Sequence, residues 1–425
     1  MAIPKDRMYH KFRLYGFLKN LRFFDPFLVL FFREMGLSFL EIGIVFSVRE
    51  ISTNLFEIPT GILADTYGRR KAMLASFSSY LVSFLLFYLF SSFSMYLVAM
   101  VLFAIGETFR SGTHKAMILE YLRIKGLERL KVDYYGHTCA ASQLGSALAA
   151  LIAAGLVFYT GSYRIVFAAS IIPYILELFL ISSYPKELDG RIVLVKGDWI
   201  RRFKQRILGT SKEFLKMLRN PLLVRGLFSS AGFDAIFKSA KDYLQPILKS
   251  QALALPIFLC LETDRRIAVV VGGVYFVIYL VTSWAAASSH RLQSKARSPS
   301  WAVNFSFVIG VILLLVAGLA TWAKVYALSI AAFLALYFLQ NVRRPMLVGY
   351  LSEVIPRQMM ATGLSVESEV RALLMAAIFP LIGLLADRVG VGLALVMVAL
   401  GGVILCPILR VQQAGPATNS GRKSK

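Results

Sequence analysis

The sequence predicts an all-α polytopic membrane protein whose twelve transmembrane helices form two pseudo-symmetric six-helix bundles. Composition is the first sign: 57% of residues are hydrophobic and 17% charged, with mean hydropathy +0.65, against about 45–50% apolar residues in soluble domains. Apolar residues also fall into runs of about 20, the length that crosses a hydrocarbon core. Finally, the net charge of +23 is gathered in alternate connections, the distribution that holds cationic loops on the cytoplasmic side. Charge placed that way needs no nucleic-acid partner, and the spans leave no room for a separate soluble domain.

Taken in order, apolar runs mark spans at approximately 14–34, 43–64, 72–92, 94–118, 138–160, 163–183, 222–247, 267–289, 301–320, 325–350, 361–386 and 391–410. The basic amino terminus (Lys5, Arg7, Lys11, Arg13) has no small-residue cleavage site and precedes the first span directly. An even number of spans returns the chain to its starting side, so both termini are expected in the cytoplasm of a multi-pass protein of the cell membrane. The predicted organisation is a bundle over 1–184, a cytoplasmic amphipathic linker over 185–220, a second bundle over 221–410 and a basic tail over 411–425. Trp199, Phe203, Ile207, Phe214 and Leu218 give the linker an apolar side among many cations. Cys139, Cys260 and Cys406 show no C-x-x-C spacing and are expected to be packing residues.

Between spans two and three, Gly61-Ile-Leu-Ala-Asp65-Thr-Tyr-Gly68-Arg69-Arg70-Lys71 sets an acid, two glycines and three cations between apolar runs. It predicts a tight turn at the membrane surface, with Gly68 free to take positive φ. Within the spans, charges recur at helical spacing. Span two carries Ser47, Glu50, Asn54 and Glu57; span four carries Glu107, Arg110, Ser111 and His114; span seven carries Asp234, Lys238, Lys241 and Gln245. Span one offers Arg22 and Asp25, span ten Gln340, Asn341, Arg343 and Arg344, and span eleven Glu367 and Arg371. Unpaired charge is expensive in hydrocarbon, so these faces are expected to meet partners or water in a polar interior. Arg22 with Asp25 and Glu367 with Arg371 suit structural pairs, as does Glu177 alone on span six. Phe24-Asp25-Pro26-Phe27 and Phe233-Asp234-Ala235-Ile236 suggest matched positions in the two halves, a repeat architecture of secondary transporters with the site between halves.

The 61–71 turn, preceded by Glu57-Ile-Pro59-Thr and placed between spans two and three, resembles the signature loop of the major facilitator superfamily. Arg110-Ser-Gly112-Thr-His-Lys-Ala116 adds a likeness to its prokaryotic drug-efflux-like branch. The resemblance implies that spans one, four, seven and ten line a central cavity, the spans that carry several of the charge stripes. It implies that Asp65 sits against the amino end of span eleven near 361–363, and that Arg69 reaches Glu120, closing the inner side in the outward-open state. Gly61, Asp65, Gly68, Arg69, Arg70 and Glu120 are therefore the gating candidates. Gln143-Leu-Gly145-Ser146-Ala147 lacks the proline of the superfamily's antiporter signature, while its small residues still allow close packing.

These residues predict a secondary transporter working by alternating access, with proton-coupled efflux of amphipathic or drug-like compounds as the first expectation. Uptake or facilitated passage of a small metabolite, an anion among the possibilities, is the alternative, and a flux-free sensor a third. Substrate and proton-coupling candidates are Asp25, Glu50, Glu57, Glu107, Arg110, Asp234, Lys238, Lys241 and Arg343. No phosphate-binding loop, nucleophile triad or metal-ligand cluster is present, so no enzyme, metal or cofactor is expected beyond a proton or ion gradient. The expected partners are a small-molecule substrate and the lipid bilayer, with the monomer as working unit.

Overall fold

The computed structural model describes residues 5–190, 221–254, 260–294, 298–355 and 360–412. The predicted linker lies outside them from residue 191 to 220, as does the tail beyond 412.

Span one is two helices, α1 (Arg7–Leu18) and α2 (Leu28–Glu34), separated by irregular chain and a short 3₁₀ turn, Asp25–Phe27. Pro26 has no N–H to continue a helical ladder. Span two is α3 (Phe39–Tyr67), which starts on a capping box: Ser38 caps Glu41, and Glu41 reaches back to the Ser38 amide. Then follow α4 (Arg69–Leu89), α5 (Phe93–Arg110), α6 (Thr113–Ile124), α7 (Lys131–Thr160) and α8 (Ile165–Ser182). Span four is therefore α5 and α6 in succession, bent at Gly112, whose φ of 74° suits glycine. Span seven is also broken, into α9 (Pro221–Lys241) and α10 (Leu244–Ala254). α11 (Thr263–Ser294), α12 (Pro299–Trp322) and α13 (Tyr326–Val354) supply spans eight to ten. α14 (Met360–Ile408) carries the last two spans, which turn at Gly390 with φ 84° and ψ 160°.

Among the described residues, eight helical stretches are long and apolar enough to cross a membrane. Spans one and seven are missing from that set because each is broken into shorter helices, span two because of its charges, and the last two spans count once because their helix runs on through Gly390.

Helices α1–α8 pack among themselves, chiefly α4 on α5, α3 on α5, α4 on α8 and α1 on α7; α9–α14 do the same, led by α12 on α13 and on α14 and α9 on α14. The two groups meet along two seams, α3 with α14 and α7 with α11. Small residues permit both. A Cβ on Gly43 would lie 2.4 Å from the Phe379 carbonyl oxygen, one on Gly383 2.3 Å from that of Phe39, and one on Gly272 2.2 Å from the Ala154 Cβ. Backbones that close exchange dispersion contacts that larger side chains would prevent. Exposed apolar side chains such as Leu151, Ile172, Phe179 and Trp284 cover the outside, as lipid-facing surfaces require.

The predicted tight turn of 61–71 shrinks to one residue. α3 continues to Tyr67 and α4 begins at Arg69, so Gly61 lies within a helix and a side chain there would meet open space. Gly68 makes the turn, with φ 96°. The cysteines depart from expectation as well: Cys139 and Cys260 are exposed, and only Cys406 is half-buried.

Candidate functional site

The break in span one decides the local chemistry. Arg22 lies in the unwound stretch, where helical spacing no longer applies, so the predicted pair with Asp25 does not form. Its guanidinium instead pairs with Glu107 of α5. Glu107 also accepts from Arg110 Nη2 at 2.8 Å and from the Tyr80 hydroxyl at 2.6 Å, while Arg110 Nε donates to the Tyr80 oxygen at 3.1 Å. One carboxylate thus serves two guanidiniums, and the cluster keeps a surplus positive charge. Side chains of Arg22 and Glu107 remain about a quarter exposed, at 23% and 26%.

The opposite group of helices carries a second cluster. Asp234 of α9 accepts from Gln340 Nε2 at 2.6 Å and faces Lys238 Nζ at 4.0 Å and Arg371 Nη1 at 3.7 Å. Arg371 is shared with Glu367 at 3.1 Å, as helical spacing predicted, and Glu367 takes a further bond from the Ser230 hydroxyl at 2.8 Å. Two acids and two cations balance here. Lys241 faces Asp242 at 3.2 Å, and Glu50 is held by its neighbour Arg49 at 3.0 Å. Glu57 is exposed.

Asp25 stands apart. Among the described residues its carboxylate makes no hydrogen bond and no ion pair within 4 Å. It borders a cavity of about 40 Å³ with Arg22, Arg49, Phe24, Phe84, Phe103 and Phe167, enough for a water or two. Its backbone is engaged from the other half: Gln245 Nε2 donates to the Asp25 carbonyl at 2.9 Å, and Gln245 Oε1 accepts from the Val29 amide at 2.7 Å. A side-chain amide is inserted where the i→i−4 bond of span one is broken. The breaks therefore pair the Pro26 region with the Pro246 region, and Asp234 lies about three turns before the position that the Phe-Asp repeat had assigned it.

Arg343 is a correction. It was expected in the cavity, but it is 1% exposed inside the second group of helices. It donates to the Val303 carbonyl at 2.5 Å, the Ser306 hydroxyl at 2.7 Å and the Ser229 carbonyl at 3.2 Å, with its guanidinium 4.4 Å from the Phe233 ring centre. Carbonyl and hydroxyl oxygens and aromatic faces engage its two terminal nitrogens without an acid among the described residues, while its buried Nε has no hydrogen-bond partner there.

At the turn after α3, Arg69 approaches Glu120 at 3.9 Å and the Ala116 carbonyl at 3.4 Å, while Glu120 is closer to Arg123 at 2.5 Å. Arg70 donates to the Tyr184 carbonyl at 3.2 Å through its side chain and to Asp189 at 2.6 Å through its amide. Asp189 thus caps α4 and packs on Gly68, where a Cβ would come within 2.9 Å of its carboxylate. Asp65 is exposed, and the expected contact with the start of α14 near 361–363 falls largely on residues whose side chains lie outside those described. The seam between α3 and α14 is bonded at its other end. Phe39 and Leu40 amides donate to the two Asp387 carboxylate oxygens at 2.9 and 2.8 Å, and Ser47 Oγ donates to the Ala376 carbonyl at 2.6 Å. An anion on a helix amino terminus is a favoured arrangement.

Broken spans one and seven, a charged cluster in each of two helix groups, and a bonded seam between the groups are features of a membrane bundle built in two halves. A family model described as Major Facilitator Superfamily matches residues 19–367. The chain belongs to that superfamily. A relative from Bacillus subtilis (strain 168), described as an uncharacterized MFS-type transporter YxaM, is 22% identical over 395 residues, covering 91% of this chain and 90% of the relative. Among solved structures, the nucleoside transporter NupG (D323A mutant) superposes with TM-score 0.76 at 11% identity, over 95% of this chain and 99% of its own. The D-xylose-proton symporter does so with TM-score 0.70 at 13% identity, over 95% and 96%. Those likenesses establish the fold. The superfamily member described here is a multi-pass membrane transporter, and secondary transport rather than enzymatic turnover is its activity.

Sequence reasoning missed three of its polar groups. Tyr80 lies on a span read as apolar, and Asp387 and Asp189 find their partners across more than 100 residues. The Gly383-Leu-Leu-Ala-Asp387 run repeats the pattern of Gly61-Ile-Leu-Ala-Asp65, a signal that could have found Asp387.

Proposed function

We propose that this transporter moves a small organic anion across the cell membrane by alternating access, driven by a proton or ion gradient, with both chain termini in the cytoplasm. The observation that carries this reading is the surplus cation beside Glu107: Arg22 and Arg110 share one carboxylate, so an incoming carboxylate or phosphate completes the charge balance. The Asp234 cluster is already neutral and serves as the facing wall. Asp25, free of partners, is the coupling acid that the geometry favours over Glu107 and Asp234. The test is uptake of labelled succinate, lactate and glycerol 3-phosphate into proteoliposomes under an imposed pH gradient. Accumulation that collapses with an uncoupler and is lost in Arg22→Gln supports the reading; flux of none of these probes sinks it.

A second reading, proton-coupled export of amphipathic or drug-like cations, is favoured by Asp25 itself, an unpaired acid ringed by Phe24, Phe84, Phe103 and Phe167. Accumulation of tetraphenylphosphonium in vesicles with an acidic lumen, abolished by Asp25→Asn, selects it. Equal indifference to all probes leaves the flux-free sensor.

A further inference from the structure

Glu177 of α8 is 0% exposed, and among the described residues neither carboxylate oxygen has a hydrogen-bond partner. Burying an ionised carboxylate is costly, and a proton on the group removes that cost. The charged and titratable groups facing it come from three neighbours. Tyr15 and Lys19 lie at the end of α1, Arg110 lies on α5 with its guanidinium held by Glu107, and Tyr184 follows α8. Behind them His114 stacks on Tyr15 with centroids 3.4 Å apart and lies 3.3 Å from the Tyr184 hydroxyl.

Lys19 is the cation that can respond. It ends α1 where span one unwinds, its Nζ rests 5.4 Å from the Tyr15 ring centre, and among the described residues it makes no ion pair. Tyr174, one turn before Glu177 on α8, holds the Lys19 carbonyl at 3.4 Å. An ammonium with no ion pair among the described residues, on a hinge, therefore lies near a buried acid.

We infer that Glu177 and Lys19 form a proton-operated switch on the span-one hinge, a mechanism that rests on the transport reading above. When Glu177 loses its proton, the O–H bond breaks, the electron pair stays on the carboxylate and the proton passes to water entering through the unwound stretch. Lys19 then pairs with the new carboxylate and withdraws from the Arg22–Arg110 side. The hinge moves with it, and the hinge is bonded to the other half through Gln245 at the Asp25 carbonyl and the Val29 amide. Protonation thus favours both the cationic surface that holds an anion and the hinge position seen here. Each ligand then promotes the other, as linkage requires.

Two substrate-independent measurements test this. Infrared spectra of wild type minus Glu177→Gln at neutral pH are expected to show one carboxylic-acid C=O band that disappears at alkaline pH; absence of that band overturns the proposal. Spin labels at Tyr67→Cys and Leu364→Cys, both exposed positions, one at the end of α3 and one near the start of α14, in a background without native cysteines, report the conformational ratio. Wild type is expected to shift that ratio by about tenfold between acidic and alkaline pH, while Glu177→Gln stays at the acidic ratio and Lys19→Gln gives no shift. A wild-type response retained in either variant overturns the switch, whichever substrate the transporter carries. Should Glu177→Gln fail to fold, Lys19→Gln alone decides. Loss of anion flux in Arg22→Gln with both measurements intact affects only the substrate assignment.

Discussion

Replacing Asp387 with alanine is expected to loosen the bonded end of the α3–α14 seam by a calculable amount. The carboxylate accepts the Phe39 and Leu40 amides at 2.9 and 2.8 Å, two of the orphan donors at the start of α3. Hydrogen bonds to a charged acceptor contribute about 1.5–3 kcal/mol each, and the helix terminus adds about 0.3–1 kcal/mol. Asp387 is exposed, so water competes for both terms, and the freed amides are rehydrated rather than orphaned. A net loss of about 1.5 kcal/mol remains after that discount. Since about 1.4 kcal/mol is a factor of ten, the ratio of closed to open conformers at this end should fall about tenfold. Spin labels at Glu34 and Val389, exposed positions flanking the contact, measure it as loss of the short-distance population by pulsed electron resonance. Asp387→Asn, which keeps one acceptor oxygen, should fall between alanine and wild type. A distance distribution unchanged in Asp387→Ala would show that glycine packing alone closes this end.

Glu107→Gln leaves Arg22 and Arg110 without their shared acid and should destabilise the transporter by about 2 kcal/mol, below the 3–5 kcal/mol of a fully buried pair because the cluster is partly wet. Thermal unfolding in detergent checks it, and adding Arg110→Gln should recover part of the loss. Gln245→Ala strands the Asp25 carbonyl and the Val29 amide at about 1–3 kcal/mol each; hydrogen–deuterium exchange at Val29 should accelerate while helices remote from the hinge keep their protection. Gly43→Leu cannot fit against the Phe379 carbonyl, so the Glu34–Val389 label pair should report an open end at every pH.

How much of this was legible in the sequence follows from the range of each interaction. Helices, spans and the Glu367–Arg371 pair depend on neighbours within one turn, and the 3.6-residue period finds them. Extending that period through spans one and seven failed, because span one unwinds before Pro26 and span seven breaks at residues 242 and 243, and Arg22 crossed to Glu107 instead of joining Asp25. The Arg69–Glu120 approach was reached through family resemblance, since nothing local links those residues. Arg343 misled because a charge in a membrane span usually signals a polar cavity. Here carbonyls of Ser229 and Val303 and the Phe233 ring absorb it, an arrangement that no linear spacing encodes.

The setting of Arg343 bears on how motion is transmitted. Its guanidinium ties α9 through Ser229 and α12 through Val303 and Ser306 to its own helix, α13. Three helices are thereby pinned at one buried point, with no acid in an ion pair with it among the described residues. A half that rocks about the hinges of spans one and seven has to keep its shape while it tilts, or displacement at one mouth would dissipate before reaching the other. Arg343 supplies that stiffness as a rivet, and its place is away from the cleft because a rivet must not respond to what the cleft binds.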